Sequence, residues 1–341
     1  MSAGGALAWW ATGPDEGELR PEDLPEPGPD DAVVRTLWSG ISRGTETLVR
    51  RGLVPASQTQ RMRAPFQAGD LPFPVKYGYL SVGVVEHGPA AWRGRRVFCL
   101  YPHQDRYVVP VAALAPVPDG VPSRRAVLAG TVETALNALW DAPPCLGDRV
   151  AVVGGGLVGG ALALLLRGFP LDRLQVVEVD DDARRRLAAQ GLDAVAPDDA
   201  AGDCDLVLHV SASESGLDLA LRLLGDEAEL VEVSWFGATA PRVPLGEDFH
   251  ARRLRITASQ VGRVGRARRH RRDLRARMAT ALAALADPAF DVLIGGDVDF
   301  ADIADAMAGL GRPGSAGCVA VAYPGAATER PGGSRVQPDR P

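Results

Sequence analysis

Residues 154–159 read Gly-Gly-Gly-Leu-Val-Gly. Gly154, Gly156 and Gly159 make the pattern G-x-G-x-x-G, with Leu157 and Val158 before its last glycine. In a chain with 39 glycines the bare pattern carries little, and its surroundings carry more. It follows a continuous apolar run at 149–153 that reads as a buried parallel strand, and it opens onto a helical segment at 161–168. An acidic residue closes the next strand, at Glu178 or Asp180. This is the arrangement of a dinucleotide-binding turn. Gly154 permits a tight turn, Gly156 lets the backbone approach a pyrophosphate, and Gly159 lets helix and strand lie close. The helix start offers free N–H groups and partial positive charge to the phosphates. Asp180 is expected to accept hydrogen bonds from the adenosine ribose. A carboxylate there repels a 2′-phosphate, so NAD is expected in preference to NADP. Asp181 and Asp182 add negative charge, and Arg184, Arg185 and Arg186 soften it. The competing reading is a glycine turn that holds no ligand.

Other chemistry-bearing residues are sparser. Cys99, Cys145, Cys204 and Cys318 show no CxxC spacing, so neither a disulfide framework nor a cysteine-rich zinc lobe is expected, and a reducing, cytoplasmic setting fits. Lys76 is the one lysine among 37 basic residues. The net charge of −6 conceals an asymmetry: residues 252–277 hold 11 arginines against one acid, Asp273. Such a run is either a solvated helix face or an anion-binding lip, with Arg263 and Arg266 as the candidates for an acidic substrate group or an acidic partner. No nucleic-acid partner is expected, because aromatics are few nearby and the remainder of the chain is acidic. The N-terminus lacks the basic region of a signal peptide. The longest apolar stretch, 150–166, contains five glycines and is shorter than the ~20 residues of a spanning helix, so no membrane partner is expected.

These residues need elements to position them. At ~100–200 residues per domain, 341 residues suggest two domains. Short strands at 32–38, 75–86, 95–100 and 106–110, with a polar loop or short helix at 42–52, indicate a mostly β module over 1–125. A helix with Ser123 as N-cap is expected over 123–139. Strands at 149–153, 174–179, 205–210, 229–235 and 254–259 then alternate with helices at 161–168, 182–190 and 216–224. That alternation predicts an α/β fold with a doubly wound parallel sheet over 126–289. An arginine-rich helix at 266–286, a helix at 300–310 and a final strand at 318–323 follow. Residues 325–341 lack apolar periodicity and read as a disordered tail.

The segments VRTLWSGISRGTE (34–46), PFPVKYGYLSVGVVE (72–86), RYVVP (106–110) and VETALNAL (132–139), together with the glycine turn and a return at 299–323, resemble the medium-chain dehydrogenase/reductase superfamily. Within it the chain is most similar to the branch that includes bacteriochlorophyllide hydroxyethyl dehydrogenase. The resemblance covers 1–324. It implies a GroES-like β-rich catalytic domain, completed by 290–324, joined to a Rossmann domain. It also implies hydride transfer between a nicotinamide and a secondary alcohol or carbonyl of a small molecule. Reduction of an activated C=C bond with NADPH, or cofactor binding without turnover, are the alternatives. Zinc-dependent members carry a Cys, a His and a later Cys or Glu where this chain has Ser42, Tyr79 and a position near Gly130, so no zinc is expected. Negative charge on a reacting oxygen then needs hydrogen-bond donors. Tyr79 is the first candidate and Ser42 the second. His103 is the best acid/base by its ordinary pKa, unless it is a surface-loop histidine. Glu46 and Lys76 either relay protons or form an ordinary ion pair. Thr134 aligns with a residue near the nicotinamide, and the loop from Ser211 to Ser213 is expected to cover the cofactor edge. A homodimer through the Rossmann edge strand near 242–259 is implied by the resemblance alone.

Overall fold

The computed structural model describes residues 5–246, 248–310 and 317–326. Apolar strands alternating with helices build a six-stranded parallel sheet. Its order is Asp193–Val195, Arg173–Val177, Arg149–Val153, Cys204–His209, Leu224–Glu232 and Arg255–Ala258. The strand Arg149–Val153 lies mid-sheet, and Val150, Ala151 and Val152 are completely buried. Coverage on both faces is why residues 150–153 of this strand are continuously apolar rather than alternating. The helices Ala129–Asp141, Leu157–Leu166 and Leu274–Ala284 contribute to the core on one face, and Glu214–Leu223 to the core on the other. Every strand of this sheet runs the same way, so all the carboxyl ends open on one edge. Among the described residues no helix is long and apolar enough to cross a membrane.

The other half is built from two further sheets. One has seven paired strands centred on Asp31–Ile41, which bonds to Ser81–His87, Arg106–Pro110 and the late strand Cys318–Ala322. The other is a four-stranded sheet containing Ala6–Gly13 and Val75–Lys76. The single strand expected at 75–86 is therefore two strands in two sheets. The crossing occurs at Gly78, whose φ is +125°, and a Cβ there would meet the His103 ring at 2.8 Å. Glycine alone satisfies both constraints. Tyr79 thus sits on an irregular bridge between sheets instead of within a ladder. One core includes Leu37, Trp38, Leu80 and Phe98 from this half together with Val152, Leu162 and Met278 from the other.

Several expected boundaries move. The helix at 123–139 is two helices, Ser123–Ala126 and Ala129–Asp141, and Pro122 occupies the N-cap position expected for Ser123. The glycine-turn helix starts earlier, at Leu157. The helix expected at 300–310 is a 3-10 turn, Phe300–Asp302, followed by Ile303–Ala308. Residues 327–341 of the expected tail lie outside the described residues, while Ala326 is buried.

The arginine-rich helix is the main correction. The helix is Leu274–Ala284, capped by the Asp273 carboxylate, which accepts from Ala276 N–H at 2.7 Å. The arginines from Arg263 to Arg272 precede it in turns. Those turns are fastened to the helix Ala129–Asp141: Gly265 N–H donates to Asn137 at 2.9 Å, and Arg266 N–H to Asp141 at 3.0 Å. Arg277 lies inside, 2% exposed. Its guanidinium donates to Glu133 at 3.1 Å, to Asn137, and to the carbonyls of Arg263 at 3.0 Å and Val261 at 2.5 Å. Burial raises the Glu133 carboxyl pKa, and Arg277 opposes that rise. Removing one partner of a buried pair strands the other charge. The variant Arg277→Ala is therefore expected to lose about 3–5 kcal/mol of stability, read by urea unfolding.

Candidate functional site

The glycine turn lies where the strand Arg149–Val153 leaves the sheet. Gly154 has φ +109°, and a Cβ there would meet Ser211 N at 2.9 Å. A Cβ on Gly159 would run into the Gly154 carbonyl oxygen and meet the Val210 side chain at 2.9 Å. Gly156 faces open space. It is the N-cap of Leu157–Leu166 and supplies no side-chain cap, so the first N–H groups, at Leu157, Val158 and Gly159, point out of the helix end. An uncapped, side-chain-free helix start is the cradle a pyrophosphate requires, so these residues fit a dinucleotide.

The two acids after the next strand have different tasks. The Glu178 carboxylate accepts from Gly155 N–H at 2.7 Å and from Asp180 N–H at 2.9 Å. Asp180 is the N-cap of Asp181–Ala188, accepting from Ala183 N–H at 2.7 Å. Glu178 therefore lies on the glycine turn, while one oxygen of Asp180 is engaged in capping. Arg185 pairs with Asp182, one turn away on the exposed helix. The Ser211–Ser213 segment abuts Gly154 through Ser211.

In the β-rich half, Tyr79, Ser42, Glu46 and His103 come together. Tyr79 is densely surrounded yet keeps part of its surface open, and its hydroxyl lies next to the side chains of Ser42 and Thr45. Burial, reinforced by the Glu46 charge, raises its pKa well above 10. Glu46, on the helix Arg43–Arg50, accepts from Ser42 N–H at 2.8 Å and lies 2.9 Å from His103 Nε2. His103 Nδ1 lies 2.7 Å from Ser39 Oγ, which is 3.1 Å from the Tyr323 hydroxyl. His103 is fully buried, so it is no surface-loop histidine, and its ring meets protein groups at both nitrogens. The expected Glu46–Lys76 pairing does not form. Lys76 instead bonds to Glu22 and Gln104, each at 2.9 Å.

Thr134 Oγ1 donates to the Gly130 carbonyl at 2.9 Å, within its own helix. Arg263 and Arg266 are exposed on the turns beyond Arg255–Ala258. The positions that the sequence resemblance aligns with zinc ligands, Ser42, Tyr79 and Gly130, hold a hydroxyl, a phenol and a glycine. A Cβ on Gly130 would meet the Leu80 side chain at 2.6 Å, so no ligand-bearing side chain fits there without a shift. This donor set does not suit zinc.

Ser39, Thr45 and Tyr323 were missed by sequence reasoning, as was the pairing of His209 with Glu232. A signal existed for the last: both are ionisable residues that end apolar parallel strands.

No protein-family model matches the chain, and no curated protein matches it. Solved structures do match. One described as a short chain alcohol dehydrogenase of Escherichia coli complexed with NADH has a TM-score of 0.76 at 17% identity, covering 94% of this chain and 99% of that one. L-idonate 5-dehydrogenase of Escherichia coli gives 0.77 at 14%, covering 94% and 99%. A thermostable alcohol dehydrogenase of Pyrobaculum aerophilum gives 0.75 at 20%, covering 94% and 100%. At these identities the likeness establishes the fold alone, a GroES-like β-rich module joined to a doubly wound Rossmann sheet.

Proposed function

We propose that the protein is an NAD(H)-dependent oxidoreductase acting without zinc on a secondary alcohol or carbonyl of a small molecule. The observation that carries this reading is the uncapped glycine turn, open at Gly156 and walled by Ser211. A bound nicotinamide would supply or accept the hydride. Glu178, with Asp180, is assigned to the adenosine ribose, and their charge disfavours a 2′-phosphate. Thr134 and Ser211 are assigned to the cofactor's nicotinamide side, and the exposed Arg263 and Arg266 to an acidic group on the substrate.

Tyr79 is assigned to the reacting oxygen. Its raised pKa keeps the hydroxyl protonated through the neutral range, so it donates a hydrogen bond to a carbonyl oxygen. A phenol is still more acidic than an aliphatic alcohol, so in reduction that proton passes to the developing alkoxide. Ser42 and Thr45 orient the hydroxyl. Glu46 and His103 hold the Ser42 turn from behind. In this reading the homodimer forms along the edge strand Arg255–Ala258, and the protein is cytoplasmic.

Titration of metal-analysed protein with NADH and NADPH, followed by fluorescence, tests the reading. Tighter NADH binding by zinc-free protein is the expected result. Preference for NADPH favours the C=C reductase. Zinc near one per chain removes the metal-free mechanism, and binding of neither nucleotide removes the dehydrogenase reading.

A further inference from the structure

A second polar cluster lies at the carboxyl edge of the parallel sheet. His209 ends the strand Cys204–His209 and Glu232 ends Leu224–Glu232, and the two are paired in register. His209 Nδ1 lies 2.7 Å from Glu232 Oε2, and Nε2 lies 2.7 Å from Ser211 Oγ. Ser211 Oγ is 2.9 Å from Ser213 Oγ, which accepts from Gly216 N–H at 3.1 Å. Glu232 is itself held, accepting from Ser234 N–H at 2.8 Å. The His209 ring is fully buried and lies beside Phe236.

The segment that this cluster grips is the wall of the glycine turn. Val210 is the side chain a Cβ on Gly159 would strike, and Ser211 is the backbone a Cβ on Gly154 would strike. Between the two serines Ala212 has φ +51°, a left-handed conformation that an alanine adopts at a cost of about 1–2 kcal/mol. A strained residue needs neighbours that hold it. Here they are the Ser211 hydroxyl on His209 and the Ser234 hydroxyl, which accepts from Ala212 N–H at 3.1 Å.

We propose that His209 is a positioning residue that holds residues 210–213 against the glycine turn, so that the His209–Glu232 pair sets dinucleotide affinity. The proposal rests on the dinucleotide reading above.

The test is NADH titration, with hydrogen exchange of the amides of residues 210–216 in unliganded protein. His209→Ala is expected to bind about tenfold more weakly, with faster exchange. His209→Gln, which returns a hydrogen-bonding group near the Nε2 position, is expected to recover affinity and slow exchange. Wild-type affinity and exchange in His209→Ala overturn the proposal, as does a His209→Gln variant that recovers neither. If wild type binds no dinucleotide, the dinucleotide reading fails, and with it the claim on affinity. The exchange data then decide the positioning claim by themselves, and unchanged exchange in His209→Ala overturns that as well.

Discussion

Tyr79→Phe is expected to lower kcat/KM by about 10²–10³-fold on any alcohol or ketone the protein turns over, with the NADH dissociation constant unchanged. The variant keeps the ring and its edge contact with Tyr77, whose centroid is 6.0 Å away, and removes the hydroxyl that lies next to Ser42 and Thr45. A donor aimed at developing charge acts on the transition state more than on the ground state, so the loss belongs in kcat. The raised pKa gives a further expectation. Tyr79 ionises above its ordinary value of 10, so the wild-type profile has no alkaline limb from this group below about pH 10. Full activity in Tyr79→Phe would remove the phenol from the mechanism.

Gly156→Ala is expected to weaken NADH binding by about 100-fold, or roughly 2.7 kcal/mol, while the melting temperature stays at the wild-type value. The two halves of this expectation have separate causes. Gly156 has φ −71° and ψ −158°, an extended conformation open to alanine, and its added Cβ would meet no protein atom within 4 Å. The fold therefore has no reason to respond. The same open space is where a pyrophosphate must approach the backbone, so the methyl group displaces the ligand. Gly159→Ala is the contrasting control. Its Cβ would collide with the Gly154 carbonyl, so it is expected to lower both affinity and stability. Wild-type affinity in Gly156→Ala would place the nucleotide elsewhere.

The parallel sheet was legible because its strands are buried on both faces and separated by helices with ordinary punctuation. Residues 149–153 were assigned to a strand with the observed bounds for that reason. The glycine turn was legible because its constraints are local: a tight turn and a close approach leave their mark in residue type. The β-rich half was harder. Its strands are short, and one apparent strand changes sheets at Gly78, a decision made by the packing of His103 from another part of the chain. The arginine-rich segment misled for a related reason. Its composition suits a helix, but Asn137 and Asp141, more than 120 residues earlier, hold its first part in turns. Among candidate site residues, the turn glycines are set by spacing along the chain and so leave a local mark. Those set by contacts between distant segments, such as Ser39 with His103 and Tyr323, leave no local trace. The positions of Glu178 and Asp180 depend on where the strand ends. The strand stops at Val177, so Glu178 is the first residue free to turn toward the glycines.

Lys76 has a practical consequence. It is the chain's one lysine, 5% exposed, with its ammonium taken up by Glu22 and Gln104. The native surface therefore presents no ε-amino group to acylating reagents, and a lysine-specific protease has a single peptide bond to attack, on a strand closed to it until the four-stranded sheet opens. Cleavage after that residue would report opening of the sheet without an engineered label. For the same reason, immobilisation through side-chain amines would select molecules whose N-terminal module has already come apart.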